Sequence, residues 1–440
     1  MKNKSELVVG LDIGTTKILC LVGRENEHGK LEILGVGKAE SLGVKRGEVQ
    51  NIKDTVESIK KAVAMASEES KVNIKKVNVG IAGIHIRSMQ QHGMAIRAEY
   101  TKEIDETDVN GLIEKMKKMQ MQPGYEIIHC LPQEFIVDER IGVKDPIGMF
   151  GSKLEANFHV ITGHISAAQV IYHCIERAGL SIQDLILEPL ASSDAVLTEE
   201  EKEAGVVLVD IGGGTTDIAI FHDGIIRHTA VLPFGGNIIT DDIRMGCNVL
   251  QRNAEKLKEN HGNALASMVK DNTFVSIPGL KNRQPKEIAL KNLALIIQAR
   301  MKEIIQMVNS EIRASGYEKK LIGGIVLTGG GAMLKNLKAL FELETGFDVR
   351  IGSPAEFLAK NDRSLQHPMH ATGVGLVLQG IRNKRTVLTA QVEDEGVAGL
   401  PISETQKNDP PRGPFYQKIL AGFKKIQGML GEDEEDYNDR

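Results

Sequence analysis

One short pattern occurs twice in the chain, and this repeat limits the possible folds more than any other feature. Residues 8–22 are VVGLDIGTTKILCLV and residues 206–221 are VVLVDIGGGTTDIAIF. Each copy is an apolar run, an Asp-Ile-Gly step, a turn rich in Gly and Thr, and a second apolar run, which predicts a hairpin of two buried strands. The backbone N–H groups of such a turn can hold a phosphate, and the preceding aspartate can hold a metal ion through water. The repeat therefore predicts two related domains that face each other across a cleft and bind one nucleotide.

A third glycine cluster, GGIVLTGGGAMLKNL at 323–337, follows the two hairpins. Its apolar strand leads into three glycines, which would let a flat base lie close to the backbone. No G-x-x-x-x-G-K-[ST] motif occurs, and GRENEHGK at 23–30 has the wrong spacing for one. The three clusters, in this order, resemble the superfamily of actin, hexokinase and the large heat-shock chaperones. This resemblance implies an α/β protein with the actin-like two-lobed ATPase fold.

Composition favours a large cytosolic α/β protein of about three domain-sized units. The chain has 440 residues, of which 41% are hydrophobic, but it has no tryptophan and only 4% aromatic residues. Few aromatic rings and a net charge of −5 argue against a nucleic-acid partner. The four cysteines lack CxxC spacing, which is typical of buried thiols in a reducing compartment. The polar start MKNKSELVVG is unlike a signal peptide, and no apolar run is long enough to cross a bilayer.

An alternation of strands and helices is interrupted between about 85 and 162. This segment has two strand-like pieces around a glycine in HIRSMQQHGMAIRAEY, a charged helix near 105–121 and the strand-like EIIHCLPQEFIVD. The change predicts a small inserted α+β subdomain. Five histidines lie in it or at its edges without ligand spacing, which favours surface or hydrogen-bonded histidines over a metal site: His85, His92, His129, His159 and His164.

Three polar residues have two interpretations each. Glu188 follows an apolar strand at 184–187, so it is either a surface-turn residue or the carboxylate that orients a water for attack on the γ-phosphate. Glu255 and Lys258 share a helical face, so they form either an exposed ion pair or contacts to the ribose and base. A long helix is predicted at about 286–313, and its apolar stripe is interpreted as core.

The C-terminal region changes composition. Residues 385–412 are polar and aperiodic, as expected of a flexible linker, and the apolar spacing in residues 413–430 predicts an amphipathic helix. Its apolar face predicts binding in a membrane interface, and the alternative is docking on the protein's own core or on a partner. An acidic tail at 431–440 follows. The residues assigned to the membrane are Phe415, Tyr416, Ile419, Leu420, Phe423, Lys424, Lys425, Ile426 and Leu430.

Together, LDIGTTK, VDIGGGTTD, IVLTGGGAML, the location of the insert and the C-terminal amphipathic helix resemble the FtsA family of bacterial cell-division proteins. The resemblance covers nearly the whole chain and implies the following division. The first lobe would be 1–84, 163–197 and 360–384, the inserted interaction subdomain 85–162, and the second lobe 198–230 and 301–359. A nucleotide-capping and partner-binding subdomain would span 231–300, before the linker, membrane helix and tail.

The resemblance implies a membrane-tethered protein that binds ATP and Mg²⁺, with at most weak hydrolysis. It would bind the C-terminal tail of the tubulin-like protein FtsZ, recruit later division proteins through the insert and self-associate as a filament at the cytoplasmic face of the cell membrane. Asp12 and Asp210 would flank the metal, Glu188 and Asp217 would handle the attacking water, and Arg300 is the candidate contact for the partner tail. The expected nucleotide contacts are Gly14, Thr15, Thr16, Lys17, Gly212, Gly213, Gly214, Thr215, Thr216, Glu255, Lys258, Gly329, Gly330, Gly331 and Ala332.

Two other functions remain open for the same hairpins. A sugar or other small-molecule kinase would need an aspartate base facing a hydroxyl substrate and has no need for a membrane helix. A pilus-assembly or reactivation ATPase of the same superfamily would keep the cleft but need a different anchor.

Overall fold

The first repeated motif forms the centre of a mixed five-stranded sheet. The computed structural model describes residues 7–279, 284–359 and 363–395. All six residues of the first strand are buried, as its uninterrupted apolar sequence predicts. The elements of this part, in chain order, are Val8–Ile13 (β1), Lys17–Glu25 (β2), Leu31–Glu40 (β3), Val44–Lys45 (β4), Glu48–Val49 (β5), Ile52–Ser70 (α1) and Lys76–Ile81 (β6).

A separate four-stranded sheet confirms the inserted α+β subdomain. Its elements are Arg87–Ile96 (β7), Glu106–Lys117 (α2), Tyr125–Val137 (β8), Arg140–Val143 (β9) and Lys153–His164 (β10), and the strand order is β7-β10-β8-β9. The expectation of two strand pieces around a glycine was wrong, because β7 runs without a break through Gly93. A Cβ on Gly93 would lie 2.6 Å from Met116 Sδ and 2.8 Å from Phe158, so glycine here lets helix α2 pack on the sheet.

The chain then returns to the first lobe through Ile165–Arg177 (α3), Ser181–Leu187 (β11), Glu188–Val196 (α4) and Glu199–Ala204 (α5). The segment after β11 was expected to be a turn but is helical. Pro189 occupies the first helical turn, where a missing N–H costs nothing, and Glu188 is the first residue of the helix. The first sheet is thereby completed in the order β11-β6-β1-β2-β3.

The second repeated motif forms the centre of another five-stranded sheet. The remaining elements are Val206–Ile211 (β12), Thr216–His222 (β13), Ile225–Leu232 (β14), Gly236–Gly246 (α6), Gln251–His261 (α7), Phe274–Ile277 (β15), Lys286–Ala289 (β16), Leu290–Ala314 (α8), Ile325–Thr328 (β17), Leu337–Thr345 (α9), Val349–Ile351 (β18) and Ala371–Glu395 (α10). Helix α8 begins at Leu290, later than expected, because 286–289 pairs with β15 as a strand. Helix α10 continues past residue 385, where the linker was expected to begin.

The two large sheets have the same topology. The second has the order β18-β17-β12-β13-β14, which matches β11-β6-β1-β2-β3 strand for strand. In each sheet the central strand is antiparallel to the next strand in sequence and parallel to a later one. The duplication seen in the sequence is therefore a duplication of the fold, and it confirms the two-lobed prediction.

Helix α10 joins the two lobes. Val374 and Val377 belong to one buried cluster with Val8 of the first lobe and Leu208 of the second. Gly375 allows the helix to approach α4, since a Cβ there would lie 1.8 Å from the carbonyl oxygen of Ala191. This contact places the small-residue part of α10 under the cleft.

The insert is bonded to the second lobe as well as to the first. Polar side chains of its sheet face strand β14. The last residue of this strand, Leu232, pairs with Thr216 at the second glycine turn. The contacts are Ser88 Oγ to Thr229 O (2.8 Å), Gln90 Nε2 to Arg227 O (3.0 Å), Gln133 Nε2 to Ile226 O (2.6 Å) and His159 Nε2 with Thr229 Oγ1 (3.0 Å). Burial lowers the pKa of His159 to about 4, so this histidine is neutral.

We expect Gly375→Ala to destabilise the fold by about 1–3 kcal/mol, because the added methyl group must separate α4 from α10. Thermal unfolding of the full chain measures this. Gly111→Ala is the matched control: Gly111 lies inside helix α2 with open space where a Cβ would be, so alanine should stabilise by about 0.5–1 kcal/mol. An unchanged melting temperature for Gly375→Ala would show that the two helices are not closely packed.

Candidate functional site

The two glycine turns meet at the mouth of the cleft between the lobes. A Cβ on Gly213 would lie 2.0 Å from Thr16 Oγ1, and a Cβ on Gly214 would lie 2.5 Å from Thr15 Oγ1. Only glycine fits at such a close approach. The sequence therefore needs its extra glycines in the second turn, where the threonines of the first turn press against it.

The second turn also receives the first residues of helix α6. The N–H groups of Gly236 and Asn237 donate to the carbonyl oxygens of Gly212 (2.9 Å) and Gly213 (2.8 Å). The N–H of Gly212 donates to Thr215 O at 2.9 Å, which closes the turn itself. The second hairpin is thus held from both sides, and its position relative to the start of α6 is fixed.

Four carboxyl groups converge at the ends of the central strands. Asp12 and Asp210 are the next-to-last residues of β1 and β12, Asp217 lies opposite Asp210 on β13, and Glu188 begins α4. The three aspartates are between 4% and 7% exposed, which is rare for acids that lack a cationic partner. The structure therefore brings together both predicted metal-flanking residues and both predicted water-handling residues.

Burial raises the pKa of all four carboxyl groups, and repulsion by neighbouring carboxylates raises the pKa of Asp12, Asp217 and Glu188 further. The pKa of Asp12 is raised to about 6 and that of Asp217 to about 8, in both cases first by desolvation. The pKa of Glu188 is raised well above its usual value by burial and by the charges of Asp12, Asp217 and Asp210. Such a cluster is electrostatically unfavourable by itself, so it is suited to hold a cation.

Hydrogen bonds orient these acids unequally. Asp210 Oδ2 accepts from Ser192 Oγ at 2.6 Å and from Thr372 Oγ1 at 3.2 Å. Asp217 Oδ2 accepts from Thr215 Oγ1 at 3.1 Å, but its buried Oδ1 has no partner among the described residues. A buried carboxylate oxygen without a partner is costly, and a water in the shell of Mg²⁺ would satisfy it. The residues present therefore fit a hydrated divalent cation.

Lys17 provides a positive charge close to these acids. Its pKa is lowered by burial, and the charges of Asp12 and Asp210 act in the opposite direction. The ammonium donates to the carbonyl oxygen of Met369, just before α10. It thus lies between the acids and the first turn, where a lysine can act as a point charge on phosphate.

The third glycine cluster lies beside Asp210. Gly329 has φ +83°, and a Cβ there would lie 2.3 Å from Asp210 Oδ1. A Cβ on Gly331 would lie 2.4 Å from Ile211, whereas the same position on Gly330 is open. Ala332 is buried as well, so this loop packs closely against the end of β12 and leaves free space only at Gly330 among its three glycines.

Glu255 and Lys258 form the expected ion pair, at 2.8 Å, but not on a fully exposed face. Lys258 Nζ also donates to Gly236 O at 2.9 Å and to Thr240 Oγ1 at 2.8 Å. The pair therefore ties α7 to the start of α6, next to the second turn. Contact of these side chains with a ribose or a base stays a prediction.

Arg300 and the membrane helix are the remaining predicted sites. Arg300 makes two hydrogen bonds with Asp242, at 2.6 and 3.1 Å, and also contacts Glu303. The predicted membrane helix at 413–430 lies outside the described residues. Within residues 7–279, 284–359 and 363–395, no helix is long and apolar enough to cross a membrane, and no three His, Cys, Asp or Glu side chains form a direct metal site.

Sequence reasoning missed Ser192 and Thr372, which hold the Asp210 carboxylate. Both lie in small-residue stretches, ASSDA at 191–195 and HATGVG at 370–375. A hydroxyl next to the glycines and alanines of a helix that packs below a phosphate turn is the signal that could have identified them.

Two family models match the chain. One, described as "Cell division protein FtsA", matches residues 207–375. The other, described as "SHS2 domain inserted in FTSA", matches residues 83–162. The second match covers the subdomain whose separate sheet interrupts the first lobe.

Relatives match along most of the chain. The cell division protein FtsA of Pseudomonas aeruginosa is 38% identical over 94% of this chain and 96% of that protein. The Escherichia coli K12 protein of the same name is 36% identical over 89% of this chain and 93% of its own length. The Bacillus subtilis protein of this name is 35% identical, over 87% and 85% respectively.

Solved structures support the fold. The PilM–PilN type IV pilus biogenesis complex contains a chain with a TM-score of 0.62 and 16% identity, covering 85% of this chain and 98% of that one. The ethanolamine utilization protein EutJ from Carboxydothermus hydrogenoformans has a TM-score of 0.50 and 16% identity, over 85% and 89%. At such identities the likeness concerns the fold alone.

The raised pKa of Asp217 predicts how stability depends on pH. Burial raises its pKa from 3.8, the ordinary value of an aspartate, to about 8, so between these pH values the folded state binds more protons than the unfolded state. Ligand-free stability should therefore fall as pH rises through this window. Asp217→Asn removes the charge. Near pH 8 the free energy of unfolding of this variant should therefore exceed that of the unmutated chain by about 1–3 kcal/mol, and the difference should be smaller at lower pH.

Chemical denaturation at about pH 5 and about pH 8 measures this gain. Asp145→Asn, at an exposed carboxylate in the insert, is the matched control and should show no growth with pH. An Asp217→Asn variant that is no more stable than the unmutated chain at the higher pH would contradict the electrostatic account of the cleft.

Proposed function

Because the chain belongs to the FtsA family of bacterial cell division proteins, we propose that it is a membrane-tethered, actin-like ATP-binding protein of the division machinery. In this function it holds the FtsZ ring at the cytoplasmic face of the membrane at the division site. The observation that carries the proposal is the convergence of four carboxyl groups and Lys17 between two glycine turns. A family member with a degenerate cleft would have no reason to keep buried acids that repel one another.

The nucleotide would lie across the two turns. Gly14 to Lys17 and Gly212 to Thr216 would contact the phosphates through backbone N–H groups, hydroxyls and one ammonium group. Asp12 and Asp210 would hold Mg²⁺ through water, which would neutralise charge on the phosphates when bound. The open position at Gly330 would admit the adenine side of the ligand, next to Glu255 and Lys258.

Any hydrolysis would use the same carboxyl groups. Glu188 and Asp217 are the candidates to accept the proton of the attacking water, and burial raises the pKa of both in the ligand-free cleft. A bound divalent cation would favour their charged forms, because an opposite charge close to a carboxyl group lowers its pKa. The proposal includes at most weak ATP hydrolysis, as the family resemblance implies.

Membrane attachment would depend on the helix at 413–430. Its aromatic and aliphatic side chains can be buried at the boundary between headgroups and acyl chains while Lys424 and Lys425 meet anionic headgroups. A single helix of this size is a reversible anchor. Self-association of the body into a filament would multiply the attachment through avidity.

Protein partners would use two surfaces. The FtsZ tail would bind the subdomain at 231–300, where Arg300 already holds Asp242 and Glu303 and could exchange them for a peptide carboxylate. The insert would recruit later division proteins. Membership of a cell-division family favours these partners over the substrate of a sugar kinase or the anchor of a pilus-assembly ATPase.

We expect the affinity of Asp210→Asn for ATP in the presence of Mg²⁺ to fall about tenfold, because the carboxylate charge that attracts the cation is removed. Without Mg²⁺ its affinity for ATP should be close to that of the unmutated chain. Ser192 and Thr372 can still donate to the amide oxygen, so the fold should be kept. Titration calorimetry with ATP, with and without Mg²⁺, measures the effect. Asp241→Asn, at an exposed acid on helix α6, serves as control. Identical Mg²⁺ dependence in both variants would remove the metal assignment.

We expect Phe423→Glu to release the protein from vesicles that contain anionic lipid, because it places a charge on the apolar face of the helix. ATP binding should not change. Tyr437→Glu, an aromatic-to-acid change in the acidic tail, is the control and should float with the vesicles. Flotation of Phe423→Glu with the vesicles would show that another segment is the anchor.

A further inference from the structure

A turn outside the repeated hairpins reaches both of them. Arg46 and Gly47 connect β4 to β5, where Lys45 pairs with Glu48. The N–H of Gly47 donates to Thr15 Oγ1 of the first turn at 3.1 Å. A Cβ on Gly214 of the second turn would lie 2.9 Å from both the Cα and the N atom of Arg46. The backbone of this arginine therefore lies against both turns at once.

The backbone conformation of Arg46 is unusual for an arginine. Its φ is 52°, in the left-handed region that glycine and asparagine favour. The next residue is also constrained, because a Cβ on Gly47 would lie 2.9 Å from the Cα atom of Gly83, just after β6. Arg46 and Gly47, both with positive φ, form the two-residue turn between β4 and β5, and this turn places the backbone of Arg46 against the two glycine turns.

The guanidinium of Arg46 does not contribute an ion pair to the described part of the fold. The side chain is exposed, and within residues 7–279, 284–359 and 363–395 it forms no ion pair. The other cation at the turns, Lys17, already donates to Met369 O. A triphosphate would add negative charge to a cleft that holds four acids, so a second cation near the phosphates would be favourable. Arginine also matches phosphate oxygens with two parallel hydrogen bonds.

The location of Arg46 indicates which end of the phosphate chain its side chain would contact. The proposed adenosine contacts lie in the second lobe, in the loop 329–332, and in the subdomain at 231–300, at Glu255 and Lys258. Arg46 lies in the first lobe at the other side of the turns. It is also on the side of Glu188, since Gly83 follows β6 and a Cβ on Gly80 of that strand would lie 3.1 Å from Glu188 Oε1.

We propose that Arg46 binds the terminal phosphate of a nucleoside triphosphate and thereby makes the cleft distinguish triphosphate from diphosphate. The inference rests on the proposed nucleotide binding and adds a residue that neither glycine motif contains. Arg46 is a binding residue for the third phosphate, and its loss should leave the remainder of the nucleotide site in place.

Titration calorimetry of the full chain tests the proposal, with ADP and with a non-hydrolysable ATP analogue, both with Mg²⁺. Arg46→Gln should bind the triphosphate about tenfold more weakly and ADP within about twofold of the unmutated chain. Arg46→Lys should lie between them, because it keeps the charge but not the fork. Lys45→Gln removes the neighbouring exposed cation of the same turn and should change neither affinity.

Each other outcome is decisive. An equal loss from Arg46→Gln and Lys45→Gln would indicate general charge attraction and overturn the proposal. Loss of both nucleotides alike in Arg46→Gln would make the residue a support of the cleft. If the unmutated chain binds ADP and the triphosphate equally well, there is no third-phosphate contact to assign. Only failure of the unmutated chain to bind either nucleotide would overturn the proposed nucleotide function itself, and the role of Arg46 with it.

Discussion

Burial of four carboxyl groups at one cleft is the constraint on which the rest of this structure depends. Asp12, Asp210, Asp217 and Glu188 belong to two lobes, yet all lie at this cleft, near or next to the end of a strand. Burial raises the pKa of each group, so their charged forms are unfavourable in the ligand-free cleft. The glycine turns, Lys17 and the hydroxyls of Ser192 and Thr372 are arranged around this cluster. A cation with a polyphosphate would favour the charged forms, which links ligand binding to the packing of the two lobes.

The insert contacts both sides of this cleft. Strand β14 of the second lobe accepts hydrogen bonds from the insert at Ile226, Arg227 and Thr229, and its last residue, Leu232, pairs with Thr216 at the second turn. His159 is buried and neutral at this junction. In the first lobe, the N–H of Leu187, next to Glu188, donates to His129 Nε2 of the insert at 3.1 Å. The subdomain that interrupts the first lobe in sequence is therefore bonded to both lobes.

The sequence predicted the repeated framework because each part of it has a local cause. Continuous burial of β1 and β12 requires uninterrupted apolar runs, and the turns require glycine, so both are visible in the order of residues. It failed where a distant contact decides local structure. Gly93 does not break β7, because the space that it leaves is filled by Met116 from α2. Residues 286–289 form a strand because β15 offers a partner, although their pattern also fits the first turn of α8.

The sequence by itself determined the family, the duplicated hairpins and the identity of the acids and glycines in the cleft, since these depend on residue type and on short spacing. Only the tertiary structure decided which groups act on one another. Asp210 and Asp217 differ in their hydrogen bonds. Asp210 accepts from Ser192 and Thr372, which lie on α4 and α10, far apart in sequence, whereas one oxygen of Asp217 has no partner among the described residues. The approach of Arg46 to Gly214 likewise depends on the docking of two lobes. Such contacts leave no periodicity in the chain, because they are set by how whole elements pack.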